Sequence, residues 1–257
     1  GGSIGNVYGG GFGPRAVING STYVLVGKQN ADSNYPSDIN DLSQSLITIT
    51  GNVYGGGEMG SVGFIAFSTG DNGVPSFTSE GYTGPVDDKG NSVQLGSNII
   101  IALNSKSITI NGNVYGGGKG GDLYTVTEGE LRTYYTSLAD IPAADGSNYT
   151  TRFGYAIVHG DSKVDISGEV KISGSIFGGG EGIYYDNSKV STAQELDRII
   201  YAAVTKSSSV KVSGANITQN IYGGGEFGII GYYKGVSNES PIREFFGGDA
   251  KVLILKA

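Results

Sequence analysis

A seven-residue string governs what this chain can fold into. Gly-Asn-Val-Tyr-Gly-Gly-Gly occurs unchanged at Gly5–Gly11, Gly51–Gly57 and Gly112–Gly118. It returns as Gly-Ser-Ile-Phe-Gly-Gly-Gly at Gly174–Gly180 and as Gln-Asn-Ile-Tyr-Gly-Gly-Gly at Gln219–Gly225. Successive copies begin 46, 61, 62 and 45 residues apart. Self-similarity at such spacings marks repeat architectures, where a unit buries its apolar face only by stacking on the next. The unequal spacing says that a fixed core carries inserts of variable length.

The residues before each motif alternate. In the fourth unit Val164, Ile166, Val170, Ile172 and Ile176 share one parity, and Asp165, Ser167, Glu169, Lys171, Ser173 and Phe177 share the other. The second unit repeats this with Ile47, Ile49 and Val53, and the third with Ile108, Ile110 and Val114. The fifth keeps Val210 and Val212, then changes phase near Gly214-Ala215. A period of two means strands buried on one face. Composition agrees: 25 isoleucines and 20 valines stand against 11 leucines, a bias that suits pleated strands. Glycine makes up 46 of 257 residues, but it has no Gly-X-Y period, so collagen is excluded.

Short alternating strands in a stacking unit predict an all-β chain, a β-solenoid of about five units forming a single domain over residues 1–257. Equivalent residues then lie about 4.8 Å apart along the axis. The buried column is Val7, Val53, Val114, Ile176 and Ile221. A right-handed parallel β-helix is expected, because right-handed crossovers dominate parallel connections. The alternative is a sandwich of antiparallel strand pairs. Polar inserts fall at about Gly70–Gly96, Thr127–Arg152, Ile183–Val204 and Tyr232–Gly248. One is expected to hold a helix through Leu196, Ile199, Ile200 and Ala203, capped by Ser191 with Gln194 or by Thr192 with Glu195. A second helix is expected to carry Leu131, Tyr135 and Leu138. The chain opens inside the repeat pattern, and Ala250–Leu255 resembles the strands Ser162–Ile166 and Ser209–Val212. We therefore expect a piece of a longer protein.

Charge and cysteine content remove several function classes. The formal net charge is −7, with 17 scattered Lys+Arg. Such a chain has no footprint for nucleic acid and no polybasic patch for an anionic membrane. No run approaches 18 apolar residues, so no membrane insertion is expected. With no cysteine, disulfides, thiol catalysis and zinc–thiolate sites are excluded.

The motif after a Val/Ile-x-Ile-Ser/Thr-Gly strand resembles the repeats of large surface proteins of gut Bacteroidales and related anaerobes. Those are described as adhesins or cell-surface proteins with β-helical repeat regions. The resemblance covers the five cores, under half the chain. It implies an extracellular location on a bacterial surface and no known chemistry. The long inserts here depart from the more compact repeats of that group.

Candidate chemistry is sparse. The single histidine, His159, has Asp161 and Lys163 nearby as partners for general-base work, but a lone turn histidine more often serves structure. Glycoside hydrolysis needs paired carboxylates. Asp87-Asp88 is the adjacent pair, and the Asn-Thr-Asp, Gly-His-Gly and Arg-Ile-Lys signatures of polygalacturonase-type enzymes are absent. The position after the motif reads Phe12, Glu58, Lys119, Glu181 and Glu226. Stacking brings Glu181 and Glu226 together as an acid pair or a cation site, or leaves them in a solvated charge ladder with Lys119 between Glu58 and Glu181. Gly117–Thr125 fits the calcium nonapeptide G-G-x-G-x-D-x-U-x once, whereas such sites need successive copies. We therefore expect no catalytic residue, metal or cofactor.

The aromatic series Tyr8, Tyr54, Tyr115, Phe177 and Tyr222 lies opposite the aliphatic column by parity. It is either a stack that stabilises the units or a platform for a host or microbial glycan or a surface protein. The stack is the favoured reading, and the absence of tryptophan weakens the sugar case. The function expected is a non-catalytic surface protein, adhesin-like or a stalk. The alternative is a carbohydrate-active β-helix enzyme, a glycoside hydrolase or polysaccharide lyase.

Overall fold

The computed structural model describes residues 2–18, 20–27, 46–63, 68–69, 75–76, 96–101, 108–142, 149–184, 201–234 and 244–256. Within them the chain is all-β, and its frame is three parallel five-stranded sheets. The first holds Gly2–Ile4, Ile47–Ile49, Ile108–Ile110, Lys171–Ile172 and Asn216–Ile217. The motif sheet holds Val7–Tyr8, Val53–Tyr54, Val114–Tyr115, Ile176–Phe177 and Ile221–Tyr222. The long-strand sheet holds Thr22–Val26, Gly96–Ile101, Asp161–Ser167, Ser208–Ser213 and Ala250–Leu255. Counted from its first-sheet strand through its motif to the long strand that follows, each unit gives one strand to each sheet, and the units follow in the same order in all three. Antiparallel sandwich pairing is therefore not the arrangement of the frame.

Register follows the motif letter by letter. Val7, Val53, Val114, Ile176 and Ile221 pair in line, as do Tyr8, Tyr54, Tyr115, Phe177 and Tyr222. One apolar core lies between the sheets. Ile49, Ile110 and Ile172 enter it from the first, Val53, Val114 and Ile176 from the motif sheet, and Val24, Val164 and Val210 from the long strands. A one-residue slip in any strand turns this face outward, so the aliphatic parity fixes the register.

The glycine triplet is a steric requirement of stacking. A Cβ on Gly116 meets the Gly178 carbonyl oxygen at 2.2 Å, and one on Gly117 meets the Gly180 nitrogen at 2.6 Å. The corner of each unit thus rests directly on the backbone of the next, with Gly116 N donating to Phe177 O at 2.9 Å and Gly117 N to Gly179 O at 3.0 Å.

Two expected helices fare differently. The one through Leu196, Ile199 and Ile200 lies outside the described residues; Ala203 follows a turn at Tyr201-Ala202. The one through Leu131, Tyr135 and Leu138 is corrected. Leu131–Tyr135 is a strand, and Leu138–Asp140 is a single 3-10 turn capped by the Ser137 hydroxyl. This strand joins Gly121–Glu128 and Tyr149–Gly154 in an antiparallel three-stranded insert sheet. Thr133, Tyr134 and Tyr135 favour a pleated strand, and cross-strand pairs such as Tyr124 with Tyr135 outweigh a chance helical spacing. Tyr135 packs against Tyr124, Val126 and Ile141.

Candidate functional site: the aromatic stack and its polar cover

The five aromatic residues form one continuous stack. Ring centroids lie 4.7 Å apart from Tyr8 to Tyr54, 4.9 Å from Tyr54 to Tyr115, 5.0 Å from Tyr115 to Phe177 and 4.9 Å from Phe177 to Tyr222. Interplanar angles do not exceed 12°. The strand spacing of the sheet sets this separation, so the rings stack because the backbone does. The stack is a second core on the far side of the motif sheet. Tyr54 and Tyr115 are 1% exposed, whereas Tyr222 is 45% exposed and Tyr8 is half-buried. At the three central positions each ring face is occupied by its neighbours. A flat ligand finds an open ring only at the ends.

A ladder of side-chain amides runs beside the rings. Asn6 Oδ1 accepts from the Asn52 N–H, Asn52 Oδ1 from the Asn113 N–H, and Asn113 Oδ1 from the Ser175 N–H, each at 2.8 Å. The amide Nδ2 of Asn52 and of Asn113 then donates to the tyrosine hydroxyl two residues on, also at 2.8 Å. One asparagine therefore serves its own unit and the next. In the fourth unit both partners change together: Ser175 has no amide to donate and Phe177 has no hydroxyl to receive one.

The hydroxyls donate onward to carboxylates. Tyr54 Oη donates to Glu181 Oε2, and Tyr115 Oη to Glu226 Oε2. Burial first, and then these acidic partners, push both phenols well above the ordinary tyrosine range. They are poor acids and supply no phenolate. Desolvation raises the Glu181 carboxyl above its usual value, while the Tyr54 hydrogen bond and Lys119 pull it back. Lys119 Nζ is ion-paired to Glu58 Oε1 at 3.0 Å.

The post-motif residues line up as expected through the fourth unit: Phe12, Glu58, Lys119 and Glu181 are bridged in sequence. In the fifth, Phe227, at φ +59°, forms the bridge to Glu181, while Glu226 keeps the backbone bonds of the series, its N–H donating to Gly180 O at 3.0 Å and its carbonyl accepting from Gly182 N at 2.8 Å. Glu226 is still close enough to raise the Glu181 carboxyl further. Both carboxylates are engaged by tyrosine hydroxyls, so the expected pair exists as part of the polar cover over the rings.

A third ladder is made by buried hydroxyls. Thr22 and Ser208 are the first residues of their long strands, Ser97 and Ser162 the second, and all four are at most 4% exposed. Each donates to the first glycine carbonyl of the next unit's triplet, at Gly55, Gly116, Gly178 and Gly223. This satisfies a buried oxygen at the corner, where a missing partner costs about 1–3 kcal/mol. Sequence parity places these hydroxyls inward with the valines, but their acceptors lie one unit further on, where no local pattern points.

The remaining candidates have structural partners. The His159 amide donates to Val62 O at 2.8 Å, and desolvation lowers the imidazole pKa to about 4. Asp161 Oδ1 accepts from the Ser207 N–H at 3.1 Å, and Lys163 is exposed. Asp122, the acidic residue of the nonapeptide match, is 7% exposed and accepts the Tyr201 hydroxyl at 2.5 Å and the Tyr124 hydroxyl at 3.2 Å. Its strand conformation replaces the turn that calcium ligation needs. Asp87 and Asp88 lie outside the described residues. Among the described residues no three His, Cys, Asp or Glu side chains group to hold a metal, and no helix is long and apolar enough to cross a membrane. No family model matches the chain, and no curated protein or solved structure matches it.

Proposed function

We propose that the chain is a non-catalytic, extracellular bacterial surface protein, a right-handed parallel β-helix of five coils that works as a stalk and displays its inserts. The observation that carries this reading is where the inserts leave the frame. The four inserts of the second to fifth units all open between the motif corner and the following long strand. One side of the stack thus carries four variable segments; the stretch from first strand to motif strand stays short in every unit, and the stretch after the long strand is short except for the 20 residues between Val26 and Ile47. The uniform order of units in the three sheets, and the bias of parallel crossovers, support a right-handed closed coil. The resemblance of the motif to surface-protein repeats supports the location and the adhesin-like role.

The raised carboxyl of Glu181 beside Glu226 favours one alternative, a carbohydrate-active enzyme. The experiment is incubation with acidic and neutral polysaccharides. No release of reducing ends or unsaturated products is expected. Product release abolished by Glu181→Gln or Glu226→Gln overturns the proposal.

A further inference from the structure

The insert sheet has two unlike faces. Tyr124, Val126 and Tyr135 lie on the packed one. Register puts Arg132 beside Thr127, Tyr134 and Thr150 beside Thr125, and Arg152 beside Leu123 on the other. That face and the corner loop of the first unit, with Phe12 and Arg15, line a cleft of about 500 Å³. Three of the chain's five arginines are therefore gathered there, in a protein of net charge −7. Among the described residues the ion pairs are Lys119 with Glu58 and Lys211 with Asp165, and neither uses an arginine. Phe12 and Tyr134 are 61% and 57% exposed.

We infer that this cleft binds an acidic glycan, a sugar chain bearing carboxylates on more than one ring. The inference rests on the display reading of the inserts and names what one of them holds. Guanidinium groups match carboxylates as planar two-point donors. The exposed rings offer flat amphipathic faces to pyranoses, and threonine hydroxyls can meet sugar hydroxyls. The volume suits an oligosaccharide segment. Arg132 and Arg152 stand about 16 Å apart at their Cα atoms, from four residues of strand rise and two strand spacings. Charges so separated fit an extended polyanion better than one small acid. A peptide adds to a sheet through its edge, whereas this cleft is a sheet face.

The test is titration calorimetry of the whole chain with a galacturonic acid tetramer, its methyl ester and a tetraglutamate peptide, alongside a product assay. Binding of the acid is expected, with at least tenfold loss for the ester and for R132Q/R152Q, and a smaller loss for Tyr134→Ala. Both arginines are exposed, so thermal melts of the variants should match the parent. The inference is overturned if the acid does not bind, if ester and acid bind alike, if R132Q/R152Q retains affinity, or if tetraglutamate binds as tightly. Failure to bind without product release removes this site and leaves the display reading standing. Product release removes that reading whether or not the arginines matter.

Discussion

Tyr115 and Asn113 should be energetically coupled, because the fourth unit replaces their counterparts as a pair. Tyr115→Phe deletes the hydroxyl that receives the Asn113 amide at 2.8 Å and donates to Glu226. Glu226 is partly exposed and can turn to water. The part-buried amide cannot do so fully, so we expect a loss of about 1–2 kcal/mol. Asn113→Ser deletes the amide and keeps an acceptor for the Ser175 N–H, as Ser175 itself accepts from Asn220 N at 3.3 Å. It leaves Tyr115 with one partner fewer, at about 1 kcal/mol. The double variant recreates the Ser175/Phe177 pair of the fourth unit. It strands no amide, so its loss should fall about 1 kcal/mol short of the sum of the singles. Equilibrium urea unfolding of the four proteins, at constant m, measures the cycle. Additivity within about 0.3 kcal/mol refutes the coupling.

Three further outcomes are expected. Tyr115→Ala should lose about 3–5 kcal/mol, because Tyr115 is stacked on both faces; Tyr8→Ala, with one stacked neighbour, should lose clearly less in the same urea assay. Gly116→Ala, whose Cβ meets Gly178 O at 2.2 Å, should lose about 2 kcal/mol or more by forcing two units apart; Gly224→Ala, with nothing within 4 Å, should stay within about 0.5 kcal/mol. The pH dependence has two opposed parts. The imidazole of His159, at about 4 in the fold against 6.5, binds its proton less readily than the unfolded chain. Stability should therefore fall as pH drops from 6.5 towards 4, by at most about 3 kcal/mol, and His159→Gln should abolish that fall. Glu181 is raised, so its contribution is present below its ordinary value of 4.5 and lost as pH rises through the folded one. Glu181→Gln should remove that second slope; a melt series unchanged by either variant contradicts the assignments.

The frame was legible because its information is local and repeated. Two-residue parity separates Val114 from Tyr115, and identical letters align unit on unit, so column and stack follow from the sequence. What lay hidden depends on distant partners. The acceptor of Ser162 is a glycine carbonyl in another unit, and the carboxylate on Tyr54 is 127 residues away. Asn6, Asn52 and Asn113 carry no local sign of a partner, and only stacking turns them into a ladder. In the insert, Leu131, Tyr135 and Leu138 happen to fall at helical spacing. The pairing of that strand with Gly121–Glu128 decides otherwise, and that same pairing assembles the arginine cleft.

The two tyrosine–glutamate bonds join units that are not adjacent. Tyr54 belongs to the second unit and Glu181 to the fourth; Tyr115 belongs to the third and Glu226 to the fifth. Repeat arrays are commonly described by one-dimensional Ising models with a term for each unit and a term for each contact between neighbours. This chain requires a term that skips a unit. Melting the fifth unit frees the hydroxyl of the third as well as the surface of the fourth. Fraying from that end should therefore advance in steps wider than one repeat, and hydrogen exchange should show the third to fifth units sharing an opening free energy.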